Sequence, residues 1–440
     1  MRIRVLLALI VLAVALGGAV MRHVNTNGSP LLSTIALGQP ISPSAMVVDT
    51  KTSRAFIVTT AIGASSSGKN RPPSSRVTMI DTRTGTLLRT IDVGDGLPAL
   101  AIDQSDGRVF VADSMGANSD MMRMLDSSTG ALLRSVFFHT RPTAVAVDEQ
   151  IGRVFVAEGG PSSCVNMICH SDPSGVGVFD ARTLRLLRTV HIGSSPRHIV
   201  VDEPSAQVFV TTFAGVYVLD AASGRVLRIL TEFTGVLAVD NRTHRVFMED
   251  GQGTVYVLAA RSGRILGKVR GSYLNVGGPS VAAAVDGASG EVAIMDNGLL
   301  TAGSIGMRPS TVHVVDGVTG RVLYTVPLKT PPSALAVDMR TRQVYVTSAT
   351  DNSMQMLDTR QKKIVRAIAV GPDPISMVVD ENARRVLVEA VATPTITRPD
   401  AWSWLPPAIR SWVPFLPHRR AAPLAPLLSA GSVSVVDMSR

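Results

Sequence analysis

The chain has 440 residues, 45% hydrophobic and 18% charged, which supplies a large core and excludes a disordered chain. Two cysteines exclude a disulfide-dense scaffold and a four-cysteine zinc site, and the net charge of +9 permits an anionic partner without demanding one. Length alone suggests two or three domains, while 37 Gly and 26 Pro argue against long helices.

Residues 1–22 read as an address. Met1-Arg2-Ile3-Arg4 is basic, and Val5 to Val20 is an unbroken apolar run of sixteen residues. The small residues Gly17-Gly18-Ala19 then suit cleavage of an export signal, and an uncleaved membrane anchor fits the same segment equally well. No Cys follows the run, so a lipoprotein anchor is excluded. The body of the chain is expected outside the cytoplasm in either case.

From residue 31 onward one unit repeats. A short apolar strand ends in Asp at 49, 103, 148, 202, 240, 286, 338 and 380, spaced by 38 to 54 residues. Five residues after each Asp a second strand opens, as in Arg108-Val109-Phe110-Val111. A third strand ends in Asp81, Asp126, Asp180, Asp220, Asp316, Asp358 or Asp437, with Ala259 in the fifth unit. A turn often closing on Gly (Gly85, Gly130, Gly224, Gly263, Gly320) leads to a fourth strand. Four short antiparallel strands in a period of this length describe a propeller blade. The eighth unit lacks a fourth strand near the C-terminus, and Leu31–Ile35 reads like one. The expected fold is therefore all-β: an eight-bladed propeller over 31–440, closed by its N-terminal strand, with an inserted loop at about 391–431.

The strand-ending Asp ring reads as turn caps rather than as a cation site. Arg89, Arg134, Arg188, Arg228 and Arg366 recur at one register of the fourth strand and read as a charged belt on exposed edges. Basic residues interleaved with aromatics are missing, which argues against a nucleic-acid groove.

Val344-Tyr345-Val346-Thr347, followed by Asp351-Asn352-Ser353, together with Ile80-Asp81-Thr82, Thr84-Gly85 and the Pro-initiated first strands (Pro98, Pro142, Pro196, Pro332, Pro374), resembles the YVTN family of β-propellers. The resemblance covers essentially all of 31–440. It implies the propeller fold, and it leaves function open because the family includes surface proteins, binding modules and relatives of quinoprotein dehydrogenases. Members often have seven blades. The eight counted here are shared by haem d1 and quinoprotein propellers, which keeps an enzyme reading open.

The long insertions, Thr59–Ser75, Glu158–Ser174, Asp296–Pro309 and Glu389–Ala430, all join strands two and three and so fall on one face. The second holds Cys164 and Cys169, expected as one disulfide; Cys-x₄-Cys-His as a haem attachment is the alternative. The last holds every Trp (Trp402, Trp404, Trp412) with Phe415 and Arg419, and three readings compete for it: a lid, a membrane-surface contact or a partner-docking loop. His139, His191 and His198, with Arg141 and Arg197, lie near first-strand entries on the same face; His198 replaces Ala, Ser or Val of the other units. No catalytic triad, metal-binding cluster or phosphate loop is apparent, and no metal or cofactor is expected. The expected protein is a monomeric, extracytoplasmic binding or scaffold module for a protein, glycan or small molecule, and the alternative is a propeller enzyme such as a lyase, lactonase or quinoprotein-like oxidoreductase acting at the channel mouth.

Overall fold

A computed structural model describes residues 31–37, 45–60, 75–94, 99–113, 121–137, 141–159, 162–165, 168–171, 174–193, 195–270, 283–286, 289–296, 309–391 and 431–439. Eight four-stranded antiparallel sheets follow one another along the chain. Their first strands pack side by side all the way round, the eighth against the first, so the ring is closed with the first strands innermost. Length suggested several domains; the repeat makes one propeller instead.

Closure is made by Leu31–Ala36, which pairs antiparallel with Ser432–Asp437 as the outer strand of blade 8 (Ile35↔Val433, Thr34↔Ser434). Ile35 is 2% exposed and packs with Ile57, Ile80, Leu387 and Val433, uniting blades 8 and 1. The core elsewhere repeats this scheme: Val, Ala, Phe and Met of adjacent sheets meet in clusters at the seams between blades, such as Phe110, Met124, Val154 and Phe179.

The Asp at the end of each first strand is buried in all eight blades. In seven of them the carboxylate accepts backbone N–H groups of the following turn, for example Asp338 from Arg340 (2.9 Å) and Thr341 (3.1 Å). This explains the fixed five-residue spacing, because the turn is built around the side chain. In Asp202-Glu203-Pro204-Ser205 the second following residue is Pro, which has no N–H, so no turn N–H reaches the Asp202 carboxylate, and the Ser205 hydroxyl donates to the Asp202 carbonyl oxygen instead (3.4 Å). The other carboxylate oxygen depends on the next blade: Ser127 donates to Asp49 (2.5 Å), and Thr82 donates to Asp380. Blade 4 has Ala221 at that place, and Asp148 Oδ2 has no partner. Burial holds the Asp148 pKa above the usual carboxylate range, against the opposing hydrogen bonds from Ile151 and Gln150.

A second set of ties runs round the same face. Thr50 N–H donates to Gln104, Gln104 N–H to Glu149, and Glu149 N–H to Glu203, each side chain reaching back one blade (3.2, 2.9 and 2.9 Å). At the outer rim the fourth strands of blades 8, 1, 3, 4 and 6 reach forward. Ser33 donates to Gly85 O (2.8 Å), Arg89 to Thr129 O (3.3 Å), Arg188 to Ser223 O, Arg228 to Arg261 O (2.9 Å), and Tyr324 to Thr359 O (3.1 Å). Arg89, Arg188 and Arg228, expected as part of a solvated belt, thus also fasten blade to blade. The receiving turn closes on Gly for two reasons. Gly224 has φ +70°, and a Cβ there would come 2.8 Å from Val190 and 3.0 Å from Arg188 of the preceding blade.

Three outcomes are expected. Ile35→Ala should cost about 2–4 kcal/mol in urea unfolding, and the loss should appear in the whole transition rather than in blade 8 alone. Gly224→Ala should cost roughly 1–3 kcal/mol, combining the left-handed backbone with the crowding at Val190. Ala221→Ser should add about 1 kcal/mol by giving Asp148 Oδ2 a donor. A raised carboxyl pKa means that the folded state binds the proton more tightly, so the ionised group weakens the fold as pH rises; the gain from Ala221→Ser should be larger at neutral than at acid pH. A loss of stability at neutral pH would remove this account of Asp148.

Candidate functional site: the insertion face

Strand direction alternates within each blade, so the connections between strands two and three and those between blades share one face, opposite the Asp turns. In blades 4, 5 and 7 the strand-two to strand-three connections are tight turns, Thr212–Gly215, Glu249–Thr254 and Ser348–Ser353, and the rim is low there. In blades 1, 3, 6 and 8 the sequence inserts long segments at the same place.

The channel wall is apolar. Ala146 and Val147, Val200 and Val201, Ala238 and Val239, Ala284 and Val285, Ala336 and Val337 are half-exposed although they lie on the innermost strands. Polar groups begin at the insertion-face mouth. Four carboxylates at the ends of second strands are buried: Asp113 (0% exposed), Glu158 (6%), Asp296 (8%) and Glu389 (0%). Arg123 lies 3.5 Å from Asp113, and His313 lies 3.7 Å from Asp296. Glu249 joins them, its pKa raised by burial and by neighbouring Asp250. Attention to His and Trp missed this acidic set. Its sequence signal was available, an acid where the Arg-Val-Phe-Val pattern ends.

Blade 4, like blades 1 and 7, has no acid at that place. Thr212 stands where Glu158 stands in blade 3, and the first strand Pro196–Asp202 carries Arg197 and His198. The ladder shifts register between Pro196 and His198, a bulge that leaves Arg197 without a cross-strand partner. Its guanidinium lies 4.8 Å from the ring centroid of Phe213, which is 77% exposed at the tip of the tight turn. His198 opens onto the channel yet is ringed by protein, and this desolvation lowers its pKa. The imidazole is therefore neutral at physiological pH, able to donate at one nitrogen and accept at the other. Opposite it, the buried hydroxyl of Thr211 has no hydrogen-bond partner.

The structure brings some of the expected residues together and separates others. Arg141 begins the first strand of blade 3 (Arg141–Asp148), which packs beside Pro196–Asp202, so Arg141, Arg197 and His198 share one sector of the mouth. Thr143 fastens that sector by donating to Pro196 O (3.0 Å). His191 ends the outer strand Leu186–His191 and stands at the rim, away from the channel. His139 lies outside the described residues, as do Trp402, Trp404, Trp412, Phe415, Arg419 and residues 1–22. Ser162–Val165 and Ile168–Ser171 form a separate two-stranded sheet in which Cys164 is directly opposite Cys169; their side chains lie outside the described residues. Among the described residues no cluster of His, Cys, Asp or Glu is arranged for a metal ion, and no helix is long and apolar enough to cross a membrane.

Neither a family model nor a curated protein sequence matches the chain. Solved structures do. A europium-containing methanol dehydrogenase aligns over 92% of both chains at 11% identity, TM-score 0.57. BamB from Moraxella catarrhalis aligns over 82% of this chain and 96% of its own, at 14% identity, TM-score 0.52. The computationally designed Ika8 protein aligns over 81% and 95%, at 17% identity, TM-score 0.56. At these identities the likeness shows the fold alone.

His198 yields a pH prediction. A lowered histidine pKa means that the unfolded chain takes up the proton first, so stability falls as pH drops below the ordinary histidine value. Between about pH 7.5 and about pH 5, wild type should lose stability relative to His198→Ala in paired denaturant titrations. Parallel pH profiles for the two proteins would show that His198 is not desolvated.

Proposed function

We propose that the protein is an extracytoplasmic binding or scaffold propeller of the YVTN type, exported or anchored by residues 1–22, that recognises its ligand on the insertion face. The fold does not choose among functions, since its structural neighbours include a dehydrogenase and a designed protein. The observation that carries the reading is the asymmetry of that face: second strands of blades 2, 3, 6 and 8 end in buried carboxylates, whereas blade 4 has Thr212 there and presents an exposed Arg197–Phe213 stack and the solvent-facing His198. An exposed aromatic held by a guanidinium is a preorganised contact, costing little side-chain entropy on binding. The inserted segments of blades 1, 3, 6 and 8, including Cys164–Cys169 as a disulfide and the Trp402–Arg419 stretch, would supply the remaining wall.

A photo-crosslinking amino acid at Phe213, expressed in the native host, should give a discrete adduct. The same group at Leu323 on the outer rim should not, and Arg197→Glu should abolish the Phe213 adduct. Identical adducts from both positions would sink the assignment of this face. A visible chromophore in protein purified from that host would favour the enzyme reading instead.

A further inference from the structure

The seam between blades 2 and 3 lacks the outer tie that five other seams use. Blade 3 has Leu184, at φ +53°, where blades 1, 2, 4, 5 and 6 close the turn on Gly. Its side chain is 2% exposed and is packed into the core shared by blades 2 and 3, beside Met124, Val154 and Phe179. Arg134 of blade 2, at the register where Arg89, Arg188 and Arg228 each fasten the next blade, makes no hydrogen bond or ion pair among the described residues. A groove opens there instead, lined by Arg134, Ser135, Val136, Thr183, Leu184 and Arg185. The Arg185 guanidinium likewise faces no acidic partner among the described residues.

The strand beside the groove, Leu132–Phe137, is the outer edge of its sheet. It exposes more apolar surface than any other described outer strand: Leu132 is 56% exposed, Leu133 49% and Phe137 67%. An edge strand offers unpaired backbone N–H and C=O groups, and proteins usually blunt such edges with charge. Here the two charges stand in the groove, of one sign and uncompensated, while apolar side chains cover the edge.

We propose that the groove between blades 2 and 3 is a docking site for an extended acidic segment of a partner protein, which adds to Leu132–Phe137 as a fifth strand. Backbone pairing to the open edge provides the register, alternate apolar side chains of the segment cover Leu133 and Phe137, and its carboxylates meet Arg134 and Arg185. The charge pair selects acid over base, and the requirement for an extended chain excludes a free anion. This site lies on the outer wall of the ring and is independent of the insertion-face reading.

The test uses the full-length chain and a fluorescein-labelled octapeptide of alternating Val and Glu, followed by fluorescence anisotropy and by amide hydrogen exchange. The peptide should bind, its affinity should fall with salt, and the amides of residues 133–137 should gain protection. Arg134→Ser with Arg185→Ser should weaken binding by about tenfold or more, and the Val/Lys counterpart should not bind. Arg89→Ser, in a seam that is tied, should leave affinity unchanged. Equal binding of the acidic and basic peptides, undiminished binding to the double variant, or no binding at millimolar peptide each overturns the proposal. Displacement by free glutamate without any amide protection also overturns it, by reducing the groove to a small-anion pocket.

Discussion

The structure depends on angular closure. Eight sheets wedge together only if the last blade is completed, and the strand that completes it comes from the other end of the chain, Leu31–Ala36 on Ser432–Asp437. That pairing hides two sheet edges and joins a core shared by blades 8 and 1 through Ile35 and Val433. Every seam elsewhere presumes that the ring is shut, because each blade buries its apolar faces against two neighbours. The ties on the two circumferences, inner side chains reaching back and outer ones reaching forward, fix blade against blade at both radii.

Much of this was legible in the residues. The recurring Asp and its five-residue spacing encode a turn wrapped round a carboxylate, and the shortened eighth unit pointed to closure. What the repeat could not show was contact between units. Arg188 and Arg228 read as surface charge because a repeat aligns a residue with its counterparts and not with the turn of the next blade. Leu184 is visible as a departure from Gly, but its effect on Arg134 appears only when two blades are set side by side. The buried carboxylates at the mouth escaped for a related reason: Asp113, Glu158 and Glu389 end strands where polar residues are ordinary, and only the packing shows that they are enclosed. Among the site residues, the repeat marks His198 as the odd member of its position. His191 stands apart from it, because nearness in sequence between the last strand of one blade and the first of the next spans the full width of a sheet.

The repeat and its exceptions divide the work of the molecule. Uniform positions such as the first-strand Asp and the turn Gly serve the ring. Exceptions are local and cheap, since a change in one blade is buffered by seven intact ones. Blade 4 carries two, a Pro that deprives Asp202 of a donor and an Arg, Arg197, at the first-strand bulge that blades 3, 5 and 8 share. Blade 3 carries another in Leu184. Binding surfaces on a propeller can arise in this way without altering its architecture, which is why neighbours of the same fold differ so widely in what they do.

The closing strand also bears on how the chain reaches its native state. Each blade is a meander whose contacts are local, and such hairpins form early and fast. Ile35 and Val433 are partners across almost the whole sequence, so their meeting carries a large loop-closure entropy and comes last. Until then the assembling chain is an open arc with a bare strand edge at each end, the state in which a propeller is most exposed to joining a second copy of itself. A chain threaded through a membrane N-terminus first would hold Leu31–Ala36 unpaired for the entire passage, and the length of that interval, rather than the stability of the finished ring, would set its exposure to misassembly.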